Sequence, residues 1–164
     1  MIVVSDTTPL ISLLKINRLN LLEKLYDTVF VPQAVFDELT SNKIYHGEAE
    51  TISQAKFIEC KTISNKQALK ILQVTTTLDL GESEAIILAQ ELNADVLLMD
   101  EDKGRKIAKK LNITLSGALG ILIDSFDAKL LTAKEVSECI DILQKAGRRI
   151  SGELINKVRD YVLR

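Results

Sequence analysis

Five acids stand at, or within about two turns of, the ends of short apolar runs. Asp6 follows "IVVS" and Asp100 follows "VLLM". Glu38 lies in the helical stretch after "TVFVP", and Glu82 and Glu84 open the apolar run that precedes "VLLM". Carboxylates gathered in one crevice repel each other and raise each other's pKa. A divalent cation removes that penalty. Mg²⁺ and Mn²⁺ take hard oxygen ligands, and Mg²⁺ keeps several of its waters, so a few carboxylates suffice. A cation in an open carboxylate site can activate water and stabilise the charge on a phosphodiester as it is cut. That chemistry needs no His, Cys or Lys nucleophile, which suits a chain whose single histidine is His46.

Each acid also has a structural use. Asp6 can hydrogen-bond turn amides, although Thr8, just before Pro9, is the expected N-cap of the helix that Pro9 opens. Asp100 can cap the helix that follows it, with Glu101 and Asp102 favouring that helix's positive end. Asp79 and Glu82 match a capping box, which assigns Glu82 to structure and leaves Glu84 beside the apolar run. Glu38 lies between Val35 and Leu39 at helical spacing and borders a packed face, where it can also be a plain solvated residue. Convergence of several such acids favours a metal-dependent phosphoryl-transfer site.

The elements that would position these acids alternate. "IVVS", "TVFVP", "FIECKTI", "ADVLLMD" and "ITLS" read as strands. "PLISLLKI", "LNLLEKLY", "QAVFDELTSN", a polar stretch from His46 to about Ala55, "GESEAIILAQEL", "EDKGRKIAKKL" and "GALGILIDSF" read as helices. Two amphipathic helices follow, and Ser64 to Thr77 fits neither pattern. Strand–helix alternation with near-continuously apolar strands predicts a parallel sheet covered on both faces, an α/β fold. In such sheets the ligand site lies beyond the carboxyl ends of the strands, which is where Asp6 and Asp100 fall.

Composition narrows the function classes. The chain has 164 residues, 46% of them hydrophobic, and a net charge of −2, the size and balance of one globular domain. No apolar run reaches the length of a membrane span, and the N-terminal apolar stretch is broken by Ser5, Asp6 and two threonines, unlike a secretory signal; a cytoplasmic protein is expected. Cys60 and Cys139 have no paired spacing, so no disulfide is expected. One histidine argues against zinc and against a His-based nucleophilic triad. The segments "KGRKIAKK" (Lys103 to Lys110) and "GRR" (Gly147 to Arg149) are locally basic, either solvated faces or patches for a nucleic-acid backbone.

Six stretches, in order, are familiar: "VVSDTTPLISL", "VFVPQAVFDEL", "LDLGESEAIILA", "LLMDEDKGRKIA", "SGALGIL" and "GRRISGELINKVRDYVL". With them the chain resembles the PIN-domain nucleases, and more closely the PIN-like DUF3368 family, related to the VapC-type toxins of toxin–antitoxin pairs. The resemblance runs from Val3 to about Leu163. It implies a three-layer α/β/α sandwich over residues 1–164, a single PIN-like domain with the C-terminal helices from about residue 132 packed on it. It implies an acidic pocket that binds Mg²⁺ or Mn²⁺ and hydrolyses single-stranded RNA. By position in the motifs, Asp6, Glu38, Glu84 and Asp100 are the four metal-binding, catalytic acids, and Thr7 or Ser5 steadies the first of them or a water. Lys103, Arg105 and Lys106 follow the last acid and are candidates to hold the RNA backbone by charge, Arg105 foremost as a planar phosphate-binding fork. A small antitoxin and a second copy of the chain are the protein partners it implies.

The chain departs from the commoner toxin pattern in two places. Glu84 stands where Asp before Ala is usual, with Glu82 as a competitor. "MDED" replaces Thr-x-Asp, so Asp100, Glu101 and Asp102 compete for one role. A non-catalytic PIN-like module that binds RNA or protein is therefore the alternative. A haloacid-dehalogenase-type phosphotransferase would need a second Asp at the position of Thr8, and a receiver domain an acid pair that "SDTT" does not offer.

Overall fold

The structure, a computed structural model, describes residues 1–41 and 46–164. Its strands are β1 (Val3–Ser5), β2 (Val29–Pro32), β3 (Ile58–Lys61), β4 (Val96–Leu98) and β5 (Leu115–Ser116). They form one sheet in the order β3-β2-β1-β4-β5, and every pairing is parallel. The intervening helices are α1 (Thr7–Lys15), α2 (Leu21–Tyr26), α3 (Gln33–Ser41), α4 (His46–Gln54), α5 (Lys66–Thr75), α6 (Leu80–Glu91), α7 (Asp102–Lys110) and α8 (Ala118–Asp127). The chain ends with α9 (Ala133–Lys145) and α10 (Gly152–Val162). The expected third helix ran through Asn42, which lies outside the described residues. Among the described residues no helix is long and apolar enough to cross a membrane.

Alternation along the strands divides the core into two layers. Val3, Val29, Val31 and Leu98 turn to one face and are buried with residues of α1, α2, α8, α9 and α10. Val4, Leu97 and Met99 turn to the other and are buried with α6 and with Ala108 of α7. Because both faces are covered, β2 and β4 are apolar throughout, as central parallel strands tend to be, while the edge strand β3 carries Glu59 and Lys61. Helix α6 buries every residue from Ser83 to Ala89, which explains an apolar run with no polar stripe. Val136, Ile140 and Leu143 of α9 and Ile155, Val158 and Val162 of α10 join the same cluster as Val3, so the last two helices pack on the sheet's first face. Fully burying one such side chain contributes about 1.5–3 kcal/mol.

The winding fixes where a site can form. From β1 the chain steps outward to β2 and β3, then returns to β4 on the other side of β1. That reversal opens a crevice at the carboxyl ends of β1 and β4. The register pairs Ser5 with Leu98, so Asp6 and Asp100 leave the same edge of adjacent strands. The Asp6 amide donates to the Leu98 carbonyl at 2.9 Å, which extends the ladder one residue beyond β1.

Two local features differ from expectation. Helix α1 starts at Thr7, with Asp6 in the N-cap position, so Thr8 is the second helical residue and not the cap. Pro9 is then third, still in the first turn, where a missing N–H breaks no intrahelical bond. The unassigned stretch from Ser64 to Thr77 contains α5. Asn65 caps it by accepting from the Ala68 amide, and Glu91 of α6 accepts from the amides of Ser64 and Asn65.

Candidate active site

Asp6 is 3% exposed, and its side chain makes no capping bond. An N-cap carboxylate normally accepts from the second or third helical N–H. The third residue here is Pro9, which has none, so one of the two usual partners is missing, and the Thr8 amide does not take its place. Burial drives its pKa from 3.8 up to about 7, the Thr7 amide offsets part of that, and Asp79, Glu82 and Glu38 push it further up. A carboxylate in this state takes either a proton or a cation.

The three acids that press on Asp6 come from two elements. Glu38 is exposed on α3 between the buried Val35 and Leu39. Its Oε2 accepts from the Thr7 hydroxyl at 2.8 Å, which ties α3 to the start of α1. Asp79 and Glu82 form the reciprocal capping box of α6, with bonds of 2.8 and 2.9 Å. A Cβ on Gly81 would lie 3.5 Å from Asp79 Oδ1 and 3.5 Å from Glu38 Oε2, so those two oxygens are no more than 7 Å apart. Ala34, Asp37, Glu38, Asp79, Leu80 and Gly81 line an open cleft of about 510 Å³ there. The Glu82 carboxyl is raised by burial first, then by Asp79 and Glu101, while its bond to the Asp79 amide and the charge of Lys103 hold it back.

Glu84 is 8% exposed and is engaged differently. Its Oε1 accepts from the Ala34 amide at 3.2 Å, at the start of α3. There it satisfies an orphan helix N–H and meets the positive end of the helix.

Asp100 lies on the β4 side of the crevice. Its Oδ1 accepts from the Ala118 amide at 3.1 Å, so it serves the start of α8 and not the helix that follows it. The N-cap of α7 is Glu101, whose side chain makes no capping bond. Burial raises the Asp100 carboxyl, while the Ala118 amide, Arg105 and Arg148 lower it and Glu101 raises it. Gly117 permits this approach, because a Cβ there would run into the Asp100 carboxylate.

The other expected groups are partly committed. Ser5 Oγ donates to the Asp6 main-chain oxygen at 2.9 Å, so neither Ser5 nor Thr7 bonds the Asp6 carboxylate through its hydroxyl. Arg105 turns inward, and its Nη1 donates to the carbonyls of Met99 at 2.7 Å and Ser116 at 3.3 Å, joining the ends of β4 and β5. Lys103 and Lys106 are exposed on α7, as are Glu101 and Asp102.

The structure therefore gathers Asp6 and Glu38 with Asp79 and Glu82, and places Glu84 and Asp100 on helix starts. Asp79 is the acid that sequence reasoning left out, and its signal was the capping box "DLGE". A box at a helix mouth puts both carboxylates where they can also serve a site. Among the described residues, no three His, Cys, Asp or Glu side chains are drawn tightly enough together to grip an ion as they stand. The donor chemistry nonetheless fits a hard divalent cation, because a buried carboxylate is pressed by three others, all with oxygen donors.

A family model described as PIN domain matches residues 2–162 of the chain. No curated protein matches it.

Proposed function

Because the chain belongs to the PIN-domain family, a fold of the nuclease type, we propose that it is a Mg²⁺- or Mn²⁺-dependent endoribonuclease that hydrolyses phosphodiester bonds of single-stranded RNA. The observation that carries this reading is Asp6: buried at the switch point of the sheet, unused as a helix cap, and pressed by three acids. Asp6, Glu38 and Glu82 would hold the ion, with Asp79 beside them, and Glu82 takes the role that motif position gave to Glu84. Asp100 would close the β4 side of the site. The bound cation would supply activation of water and stabilisation of the charge on the phosphodiester.

The chain's own residues set up that chemistry. Thr7 holds the Glu38 carboxylate toward the crevice. Pro9 removes one of the helix amides that could claim Asp6. The capping box fixes Glu82 and Asp79 at the mouth of α6. Lys103, within charge reach of Glu82, and Lys106 would meet backbone phosphates as the strand crosses α7. If the chain is the toxin of a toxin–antitoxin pair, its partner would have to cover the cleft between Ala34 and Gly81.

One observation favours the alternative of a non-catalytic PIN-like binding module. Glu84 and Asp100, two of the four motif acids, each accept a helix-start amide. The two readings separate on metal-stripped protein given a 5′-labelled single-stranded RNA with and without Mn²⁺. Cleavage that needs the ion and is lost in Asp6→Asn supports the nuclease. RNA binding with no ion-dependent cleavage supports the module.

A further inference from the structure

Of the first three cations on α7, Lys103 and Lys106 are exposed and Arg105 is half-buried. Gly104 explains the difference. A Cβ there would run into Met99 Sδ, so the bare backbone lets α7 lie against the end of β4. Arg105 is thereby brought to two strand ends, where its Nη1 donates to the carbonyls of Met99 at 2.7 Å and Ser116 at 3.3 Å. Two acceptors match the two N–H bonds of that nitrogen. Asp100 is a near neighbour, because a Cβ on Gly117 would collide with its Oδ1 and lie 3.7 Å from Arg105 Nη1. Among the described residues the guanidinium nonetheless forms no ion pair with it. Asp100 Oδ1 takes the Ala118 amide instead.

The two carbonyls occupy one edge of the guanidinium and leave the opposite edge open. There Nε–H and one Nη2–H point the same way, a fork that matches a phosphate with two parallel bonds. Among the described residues neither Nε nor Nη2 has a hydrogen-bond partner, and neither is fully covered by protein. The carbonyls are neutral, so they hold the guanidinium in place without cancelling its charge. A fork already fixed in one orientation loses little freedom when an anion binds. We infer that Arg105 is a pre-organised phosphate clamp, whose open Nε–Nη2 edge receives one backbone phosphate of the RNA at the carboxyl ends of β4 and β5. The bonds that make it a staple between strands are the ones that aim it. This rests on the nucleic-acid reading of the same site and gives the strand a course, out of the acidic crevice over β4 toward β5 and away from β3.

The test is binding of a fluorescein-labelled single-stranded RNA, followed by anisotropy in EDTA at several salt concentrations, for wild type, Arg105→Lys and Arg105→Ala. The RNA is used with its natural backbone and with a neutral methylphosphonate at one position after another. In wild type the neutral linkage at the clamped position should weaken binding about tenfold, the scale of one charged hydrogen bond. At that position it should cost Arg105→Lys less and Arg105→Ala nothing, while positions met by the exposed lysines keep their effect in both variants. With the natural backbone, Arg105→Lys should lose about tenfold in affinity at a wild-type salt slope and a melting temperature near wild type, because the charge and one carbonyl bond remain and the fork does not. Arg105→Ala should melt lower and also lose about 1 from the slope of log affinity against log salt. A scan in which no position loses its effect in the variants, or a wild-type slope in Arg105→Ala, would overturn the inference and leave Arg105 a staple only. Wild type that binds RNA and does not cleave it with Mn²⁺ refutes the nuclease reading, and the scan still decides the role of Arg105. Cleavage by wild type with no position coupled to Arg105 refutes the clamp alone, and no RNA binding by wild type refutes both.

Discussion

Replacing Asp6 with Asn should make the metal-free protein more stable at neutral and alkaline pH, although it removes a buried residue of the site. The folded protein holds the Asp6 proton up to a pKa of about 7, against 3.8 for the ordinary group. A gap of about three pH units at about 1.36 kcal/mol each sets a ceiling of about 4 kcal/mol. The sign follows from proton linkage. A carboxyl raised on folding contributes stability that is complete below the unfolded pKa, near 3.8, and is lost as pH rises to about 7. Wild type therefore carries the cost of an ionised, crowded Asp6 at pH 8, whereas Asn carries none. In EDTA, Asp6→Asn should exceed wild type by about 2–4 kcal/mol at pH 8 and by about zero at pH 4. That is a gain of about 5–10 °C in melting temperature for a domain of this size. Urea or thermal unfolding of both proteins at the two pH values measures it, and titrating groups that do not interact with Asp6 cancel in the difference. Mn²⁺ at one thousand times its dissociation constant should cancel or reverse the difference, since about 4.1 kcal/mol then accrues to wild type alone. A difference that does not change between pH 4 and pH 8 would refute the reasoning.

Other residues give contrasting outcomes. Glu82→Gln should lower Mn²⁺ affinity at least tenfold by calorimetry. Glu84→Ala should leave that affinity near wild type while costing about 1–3 kcal/mol in urea unfolding, because the Ala34 amide loses its acceptor. Gly117→Ala should destabilise by about 1–3 kcal/mol, since the new Cβ must displace Asp100 or the start of α8. Lys103→Ala and Lys106→Ala should each lower the salt slope of RNA binding by about 1 without moving the melting temperature.

The sheet was legible because its information is local. Short, mostly apolar runs rich in β-branched residues, separated by helical periods, leave few arrangements other than a covered parallel sheet, and the junction acids follow from it. Helix α5 was not legible. Its start is held by Asn65 and by Glu91, a residue 26 positions away, and none of its residues is fully buried. On the sequence Glu82 and Glu84 compete for the third acid. Two residues apart on a helix means about 200° of rotation, so the two carboxylates must face opposite ways. Adjacency to the apolar run marked Glu84 as buried, and its carboxylate accepts from the Ala34 amide of α3, while the capping box that gives Glu82 a structural use also holds its carboxylate within charge reach of Asp6. Arg105 belongs to a basic helix by pattern. Its inward turn depends on the carbonyls of Met99 and Ser116 at two strand ends, which only the folded sheet brings together. Asp6 was legible as an oddity, and part of the reason lies three residues on, in Pro9, which takes away one of the two amides a cap would use.

The most direct measurement is a calorimetric titration of Mn²⁺ into metal-stripped wild type and Asp6→Asn, with circular dichroism to confirm that both are folded. The account predicts saturable binding to wild type and its loss in the variant. Equal binding by the two proteins, or none by wild type even with single-stranded RNA present to complete the coordination shell, would contradict it.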